Sequence, residues 1–302
     1  MKRSLVLAAI IATGSLSIAV AAFQAGGAGQ PPAAKTVTVE KLKDNLFVLK
    51  GGGGNTAVFV MANGVTVVDA KNPGWGKPIL DKIKTLTDKP VTMLINTHTH
   101  GDHVSGNVEF PATVDVVVQE NTKANMEKMD IFKQNDNRGM AKRTFKDKMT
   151  IGKGADEIDL YYYGPGHTNG DALVVFPALR TAHIGDLFAG KNLPLVDGAN
   201  GGSVLHYPGT LNKMHSSVKG VDTLINGHSN TTTTWADLKE FADFNQDFLT
   251  WAQGELKAGK TPEQAAPGWK VPEKYKGYSS QVAALFGGLP GRIQRLQDEM
   301  KK

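Results

Sequence analysis

With 302 residues, a formal charge of +5 spread over 34 basic and 29 acidic side chains, and no cysteine, the chain is long enough for one large domain. The composition excludes disulfides, thiolate metal ligands and a lipid-modified N-terminal cysteine. The basic residues are interleaved with acidic ones and lack aromatic platforms, which argues against nucleic acid as a partner.

The chain opens like an export signal. Met1-Lys2-Arg3 is positive, residues 5–20 are almost uncharged, and Val20-Ala21-Ala22 offers small residues for cleavage. The rival reading is an uncleaved anchor, which needs about 20 apolar residues; Thr13, Gly14, Ser15 and Ser17 dilute this run. The expectation is a signal peptide over 1–22, a glycine- and proline-rich flexible leader over 23–35, and a periplasmic or secreted protein.

Val37, Val39 and Leu42 then lead at period two into residues 45–49, and the glycine tetrad 51–54 leads into Thr56–Val60, which reads as two strands joined by a glycine loop. The tetrad is no phosphate cradle, because it lacks a following Lys-Ser/Thr and enters a strand instead of a helix. Ala62-Asn63-Gly64 signals a tight turn into Val65–Val68, which ends at Asp69. Pro73 to Pro78 opens a helix carrying Ile79, Leu80, Ile83 and Leu86. Val91–Ile95 and 114–118 read as buried strands, 121–133 as a helix with Met126, Met129 and Phe132 packed in the core, and 134–150 as a solvated basic connection.

Strand signals resume at 157–163, 172–176 and 181–184. A glycine-rich loop over 198–207 precedes a helix over 211–218 and a last short strand at 223–225. Residues 235–256 form a long helical pattern through Leu238, Phe241, Phe244, Phe248 and Trp251, and Thr261-Pro262 restarts a helix. Grouped strands interspersed with helices imply sheets with helices packed outside them. The main domain is expected over 36–232, and a helical extension over 233–302 packs on it or on another subunit, with Trp269, Tyr275 and Tyr278 as alternative candidates to rim a site.

Thr97-His98-Thr99-His100-Gly101-Asp102-His103 follows directly on the strand at Val91–Ile95 and holds three of the eight histidines. Residues two apart in extended chain point the same way, so His98 and His100 can face one metal while the turn presents Asp102 and His103 to a second position. Gly166-His167-Thr168, Gly185-Asp186 and Gly227-His228 also sit at strand ends. Glycine beside each ligand lets the backbone come close and turn sharply. Imidazole and carboxylate donors without thiolate suit Zn²⁺ and also accommodate Fe or Mn.

On these residues the chain resembles the metallo-β-lactamase-fold superfamily over about residues 37–230, with His98, His100, Asp102 and His103 matching its H-x-H-x-D-H motif and His167, Asp186 and His228 its later ligands in order. The resemblance implies an α+β fold, a four-layer αββα sandwich with the site at one edge of two packed sheets. It also implies two metals per chain, one on His98, His100 and His167 and the other on Asp102, His103 and His228, with Asp186 bridging and Asp69 supporting the site from behind. Of the other histidines, His183 and His215 are expected to pack or face solvent, and His206 is a candidate to bind substrate.

Two metals about 3.5–4 Å apart can trap and ionise a bridging water and polarise a carbonyl or phosphoryl oxygen. The expectation is an exported dinuclear zinc hydrolase, β-lactamase-like, whose bridging hydroxide attacks an amide or ester carbonyl of a small molecule while Asp102 orients it and passes its proton. Asp186 stands where true metallo-β-lactamases typically carry Cys or Ser, and so looks like the lactonase, thioesterase and phosphodiesterase branches. An iron-dependent sulfur dioxygenase is a redox alternative, and a zinc-presenting binding protein a third class. No nucleic acid and, after signal cleavage, no membrane is expected as partner.

Overall fold

The computed structural model describes residues 35–280, 282 and 287–302. The expected signal peptide and all but the last residue of the expected leader lie outside the described residues.

Seven strands form the first sheet in chain order: β1 (Thr38–Lys43), β2 (Leu46–Lys50), β3 (Thr56–Val60), β4 (Val65–Val68), β5 (Val91–Ile95), β6 (Asp115–Gln119) and β7 (Arg143–Phe145). β1 to β4 pair antiparallel through short turns, whereas β4, β5, β6 and β7 pair parallel. Parallel neighbours need crossovers. These are α1 (Gly76–Lys84), α2 (Gly101–Val104) with the 3₁₀ turn Ser105–Glu109, and α3 (Glu120–Met126) with α4 (Asp130–Lys133). The second sheet holds β8 (Lys148–Ile151), β9 (Ile158–Tyr161), β10 (Leu173–Phe176), β11 (Thr181–Gly185), β12 (Thr223–Asn226) and β13 (Thr233–Thr234), again in chain order. Here β11 and β12 are the parallel pair, joined through α5 (Tyr207–Ser217).

Alternation along the strands divides the apolar residues among three cores. Val48, Phe59, Val68 and Ile95 of one sheet meet Leu160, Val174, Phe176 and Ile225 of the other. The opposite face of the first sheet, with Val58, Val67, Leu94 and Val116, packs on Ile79 and Ile83 of α1, Met126 of α3 and Phe132 of α4. The outer face of the second sheet packs on α5, α6 (Trp235–Lys257) and α8 (Gly288–Met300). Helix, sheet, sheet, helix is the αββα sandwich. Each large apolar side chain buried in it contributes roughly 1.5–3 kcal/mol.

Four elements differ from the sequence reading. The helix expected over 121–133 is broken into α3 and α4, with Met129 extended between them. Met126 and Phe132, six residues apart, would point to different faces of one continuous helix; the break lets both reach the same core. Residues 134–150 are not merely a solvated connection but form the edge strands β7 and β8, carrying the chain from one sheet to the other, with Phe145 buried between the sheets. Their basic side chains face outward, as on protected edges, and Arg143 pairs with Asp115 at 3.0 Å. α5 begins at Tyr207, four residues early, with Pro208 in its first turn. The strand at 223–225 is not the last, since β13 closes that edge.

The C-terminal part packs on the sandwich. α6 starts with a reciprocal capping box between Thr234 and Asp237, and a second one, between Thr261 and Gln264, starts the single turn α7 (Pro262–Ala265). Trp269 and Tyr275, each 6% exposed, lie with Tyr278 against Phe244 and Phe248 of α6. They are core packing and do not rim the site. Among the described residues no helix is long and apolar enough to cross a membrane.

Candidate metal centre

The C-terminal ends of β4, β5, β11 and β12 converge, because each is a parallel strand delivering its following loop to the same edge. Asn55, at the end of the glycine loop, ties the sheets together there: its N–H donates to Gly227 O at 2.6 Å and its side-chain amide to Asn226 O at 2.9 Å and Ser229 O at 2.8 Å.

His98, His100, His167 and Asp186 bring one ligand atom each to a common point, as do Asp102, His103 and His228; within each set these atoms lie within 4.8 Å of one another. Asp186 faces both sets. Its Oδ2 is 3.9 Å from His98 Nε2, 3.6 Å from His167 Nε2 and 3.1 Å from His228 Nε2, and its Oδ1 is 3.3 Å from His103 Nε2. Asp102 Oδ2 lies 3.3 Å from His228 Nε2 and 3.7 Å from His103 Nε2.

Three of the rings are oriented from behind. His167 Nδ1 donates to Leu195 O at 2.9 Å, leaving Nε2 free to accept a metal. His100 Nε2 is 2.8 Å from Asp197 Oδ2, so its Nδ1 points inward. His103 Nδ1 is 2.7 Å from Asp69 Oδ2. Asp69 is fully buried and left-handed at φ 66, and it also accepts from Thr97 N and Thr97 Oγ1, both at 2.8 Å. Removing such a partner typically costs 10–100-fold in metal affinity or activity. Asp69→Asn is therefore expected to weaken metal binding by roughly 10–100-fold, which competition with a chromogenic chelator will read.

Burial and charge act oppositely on the two sets. Burial holds His98 well below the usual imidazole range and pushes His167 down to about 4, so both are neutral and ligand-ready at pH 7. At His103 burial also opposes the charge, but Asp186 and Asp69 outweigh it and raise the imidazole well above its usual value. Asp186 would be raised by burial, yet His103 and the other imidazoles around it keep it well below the carboxylate range.

A metal fits this donor set. His98 Nε2 is a buried nitrogen, aimed at the cluster, with no hydrogen-bond partner. Ligand atoms around tetrahedral Zn²⁺ with bonds of about 2.0–2.1 Å stand about 3.3 Å apart, near the His103 to His228 separation of 3.3 Å and the His100 to His167 separation of 2.9 Å.

The family model described as "Metallo-beta-lactamase superfamily" matches residues 49–249. The chain belongs to that superfamily. The relatives it matches are named as hydrolases. A metallo-beta-lactamase type 2 from Elizabethkingia meningoseptica is 33% identical over 157 residues, 47% of this chain and 58% of that protein. A hydroxyacylglutathione hydrolase from Crocosphaera subtropica is 29% identical over 157 residues, 50% of this chain and 51% of that protein. The chain thus spans about half the length of these relatives. A solved metallo-beta-lactamase from Pontibacter korlensis superposes with a TM-score of 0.59 at 19% identity, over 70% of this chain and all of that one, which shows the shared fold.

The superfamily's metal motif lies at the floor of a cavity of about 480 Å³, with His100, Asp102, Asp186 and His228 below and Ala189, Leu193, Pro194 and Leu195 as an apolar wall. His206 is not among the lining residues. It is exposed, with Nδ1 2.9 Å from Ser203 Oγ, so His206→Ala is expected to leave kcat/KM within about twofold of wild type in a steady-state assay. His183 is buried with Nε2 3.0 Å from Asn55 O, and His215 stacks on Trp235.

Asp197 and Lys71 escaped the sequence reading. Asp197 sits in a loop with no pattern to mark it. Lys71 is fully buried and donates to Leu49 O at 2.9 Å and Gly54 O at 2.6 Å; burial pushes its ammonium down to about 8, with Asp69 and Asp102 opposing. The signal available for Lys71 was its place in the Asp-Ala-Lys-Asn turn that follows the valine-rich strand Val65–Val68.

Proposed function

We propose that the protein is an exported dinuclear zinc hydrolase that opens the ester or amide carbonyl of a small, uncharged substrate. The observation that carries this reading is the single carboxylate of Asp186 facing two separate ligand sets beneath one cavity. Zinc held by the two sets would supply Lewis acidity toward a carbonyl oxygen and ionise water near neutral pH.

The chain's own residues do the rest. Asp102 lines the cavity and keeps its side chain 31% exposed, which lets it orient a water and carry its proton toward a leaving group. The wall of Leu193, Pro194 and Leu195 shields the reacting carbonyl from bulk water. Among the described residues no Lys or Arg lines the cavity; Lys191, whose neighbours do, turns away to Asp237 at 2.9 Å. With no cationic side chain on the cavity wall to hold a carboxylate away from the metals, an uncharged lactone or ester is favoured over a carboxylate-bearing β-lactam or a glutathione thioester. Export rests on the N-terminal sequence, and the mass of the protein recovered from the periplasm tests it.

Elemental analysis of the purified protein, with a lactone, a neutral aryl ester and a chromogenic β-lactam assayed in parallel, tests the reading. The expected result is two zinc ions per chain and kcat/KM on the lactone or ester at least about tenfold above the β-lactam, a difference of about 1.4 kcal/mol. A β-lactam preference would return the protein to the lactamase branch. One iron per chain without hydrolysis would favour the sulfur dioxygenase, whose metal the same donor set accommodates.

A further inference from the structure

Beyond the family match, which ends at residue 249, lies a helix that grips the site from outside. Arg292 of α8 is 5% exposed and stands between the rings of Tyr207 and Phe248, 5.9 and 5.1 Å from their centroids. Its guanidinium donates to Pro194 O through Nη1 and to Asn245 Oδ1 at 3.2 Å through Nη2. Pro194 opens the segment that orients two metal ligands: Leu195 O receives the His167 Nδ1 proton, and Asp197 holds His100 Nε2. Asp197 N also donates to His167 O at 2.8 Å.

The far end of the segment is held by the same helix. Asp197 O accepts from Gly202 N at 2.7 Å, and Gly202 O accepts from Arg295 Nη2 at 2.8 Å. Glu299 accepts from Ser203 Oγ at 2.7 Å and Leu205 N at 2.9 Å. Among the described residues, the set of Asp102, His103 and His228 has no such tether to α8. Its supports are Asp69 at the end of β4 and Asn55, which pins Gly227.

We infer that Arg292 is a positioning residue for one half of the metal centre: through Pro194 it sets the segment that aims His100 and His167, and leaves the other half untouched. A guanidinium suits this role because its planar fork reaches two acceptors at fixed angles from a buried position. The inference rests on the two-set reading of the centre and assumes nothing about the substrate.

The test is zinc affinity, measured by chelator competition in two backgrounds of the full chain. His228→Ala leaves His98, His100 and His167 as the intact set; His167→Ala leaves Asp102, His103 and His228. Adding Arg292→Met is expected to weaken zinc about tenfold in the first background, the scale typical of lost outer-shell support, and to change nothing in the second. Arg292→Lys, which keeps a donor for Pro194 O, is expected to restore most of the affinity. Arg295→Ala, at a half-buried position, is expected to give a smaller loss in the first background only, and it decides the matter if Arg292→Met does not fold. Equal weakening in both backgrounds, or none in either, overturns the inference and leaves Arg292 as core packing. Failure of both single-histidine backgrounds to bind zinc would instead refute the two-set reading, and the inference with it.

Discussion

Asp186→Ala is expected to strip metal from both halves of the centre and to lower kcat/KM by at least about 10³-fold, some 4 kcal/mol of transition-state stabilisation. The carboxylate lies 3.1–3.9 Å from the inward nitrogens of four histidines drawn from three different loops. Among the described residues no other acidic group faces both sets: Asp102 reaches only His103 and His228, while Asp69 and Asp197 stand behind the rings they orient. Alanine removes the negative charge that offsets cations on both sides, so neither set compensates for the other. Asp186→Asn keeps the volume and removes the charge, and a comparable loss there would assign the effect to charge. Metal content after dialysis and steady-state turnover are the measurements. Two metals retained with unimpaired turnover in either variant would remove Asp186 from the centre.

Gly227→Ala and Gly54→Ala are expected to cost about 10²-fold or more in kcat/KM, since misplacing reacting groups by about 1 Å can do so. A β-carbon at Gly227 would lie 1.8 Å from Asp186 Oδ1 and 2.9 Å from Gly185 C; one at Gly54 would lie 2.2 Å from His103 Cε1. Neither glycine has left-handed backbone, so the obstacle is space alone. The neighbours cannot give way freely, because His103 is held by Asp69 and Gly54 by Lys71 and Asp102 O. Overpacking of this kind costs about 1–3 kcal/mol, and both variants are expected to stay folded. Gly254→Ala is the control: its added carbon meets nothing within 4 Å in the last turn of α6. It is expected to raise stability by about 0.5–1 kcal/mol, read in a urea titration. Wild-type turnover in Gly227→Ala would show that the loop yields and that Asp186 tolerates displacement.

The glycines illustrate how much could be read in advance. Gly166, Gly185 and Gly227 stand beside ligands in the sequence, and the inference that close backbone approach requires them needs only the chain. Which atom each one crowds is a fact of folding: Gly227 faces a carboxylate 41 residues away and Gly54 an imidazole 49 residues away. Periodicity likewise gave the central strands of both sheets, but not the break at Met129, which lets two side chains reach one core. The edge strands β7 and β8 were missed because they are short and their outward-facing lysines and arginines mask the apolar alternation.

By itself the sequence determined the ligand types and their placement at strand ends, because side-chain periodicity and glycine punctuation are local properties of the chain; the αββα order of layers was implied by the family resemblance those ligands carry. Only the tertiary structure decided what stands behind the ligands, other than the support expected from Asp69. Asp197 behind His100, Leu195 O behind His167, Lys71 beneath Gly54 and Arg292 beneath Pro194 are contacts between residues 17 to 98 positions apart. Such partners follow no spacing rule, since a single buried hydrogen bond needs only a donor and an acceptor brought together, and packing alone brings them there.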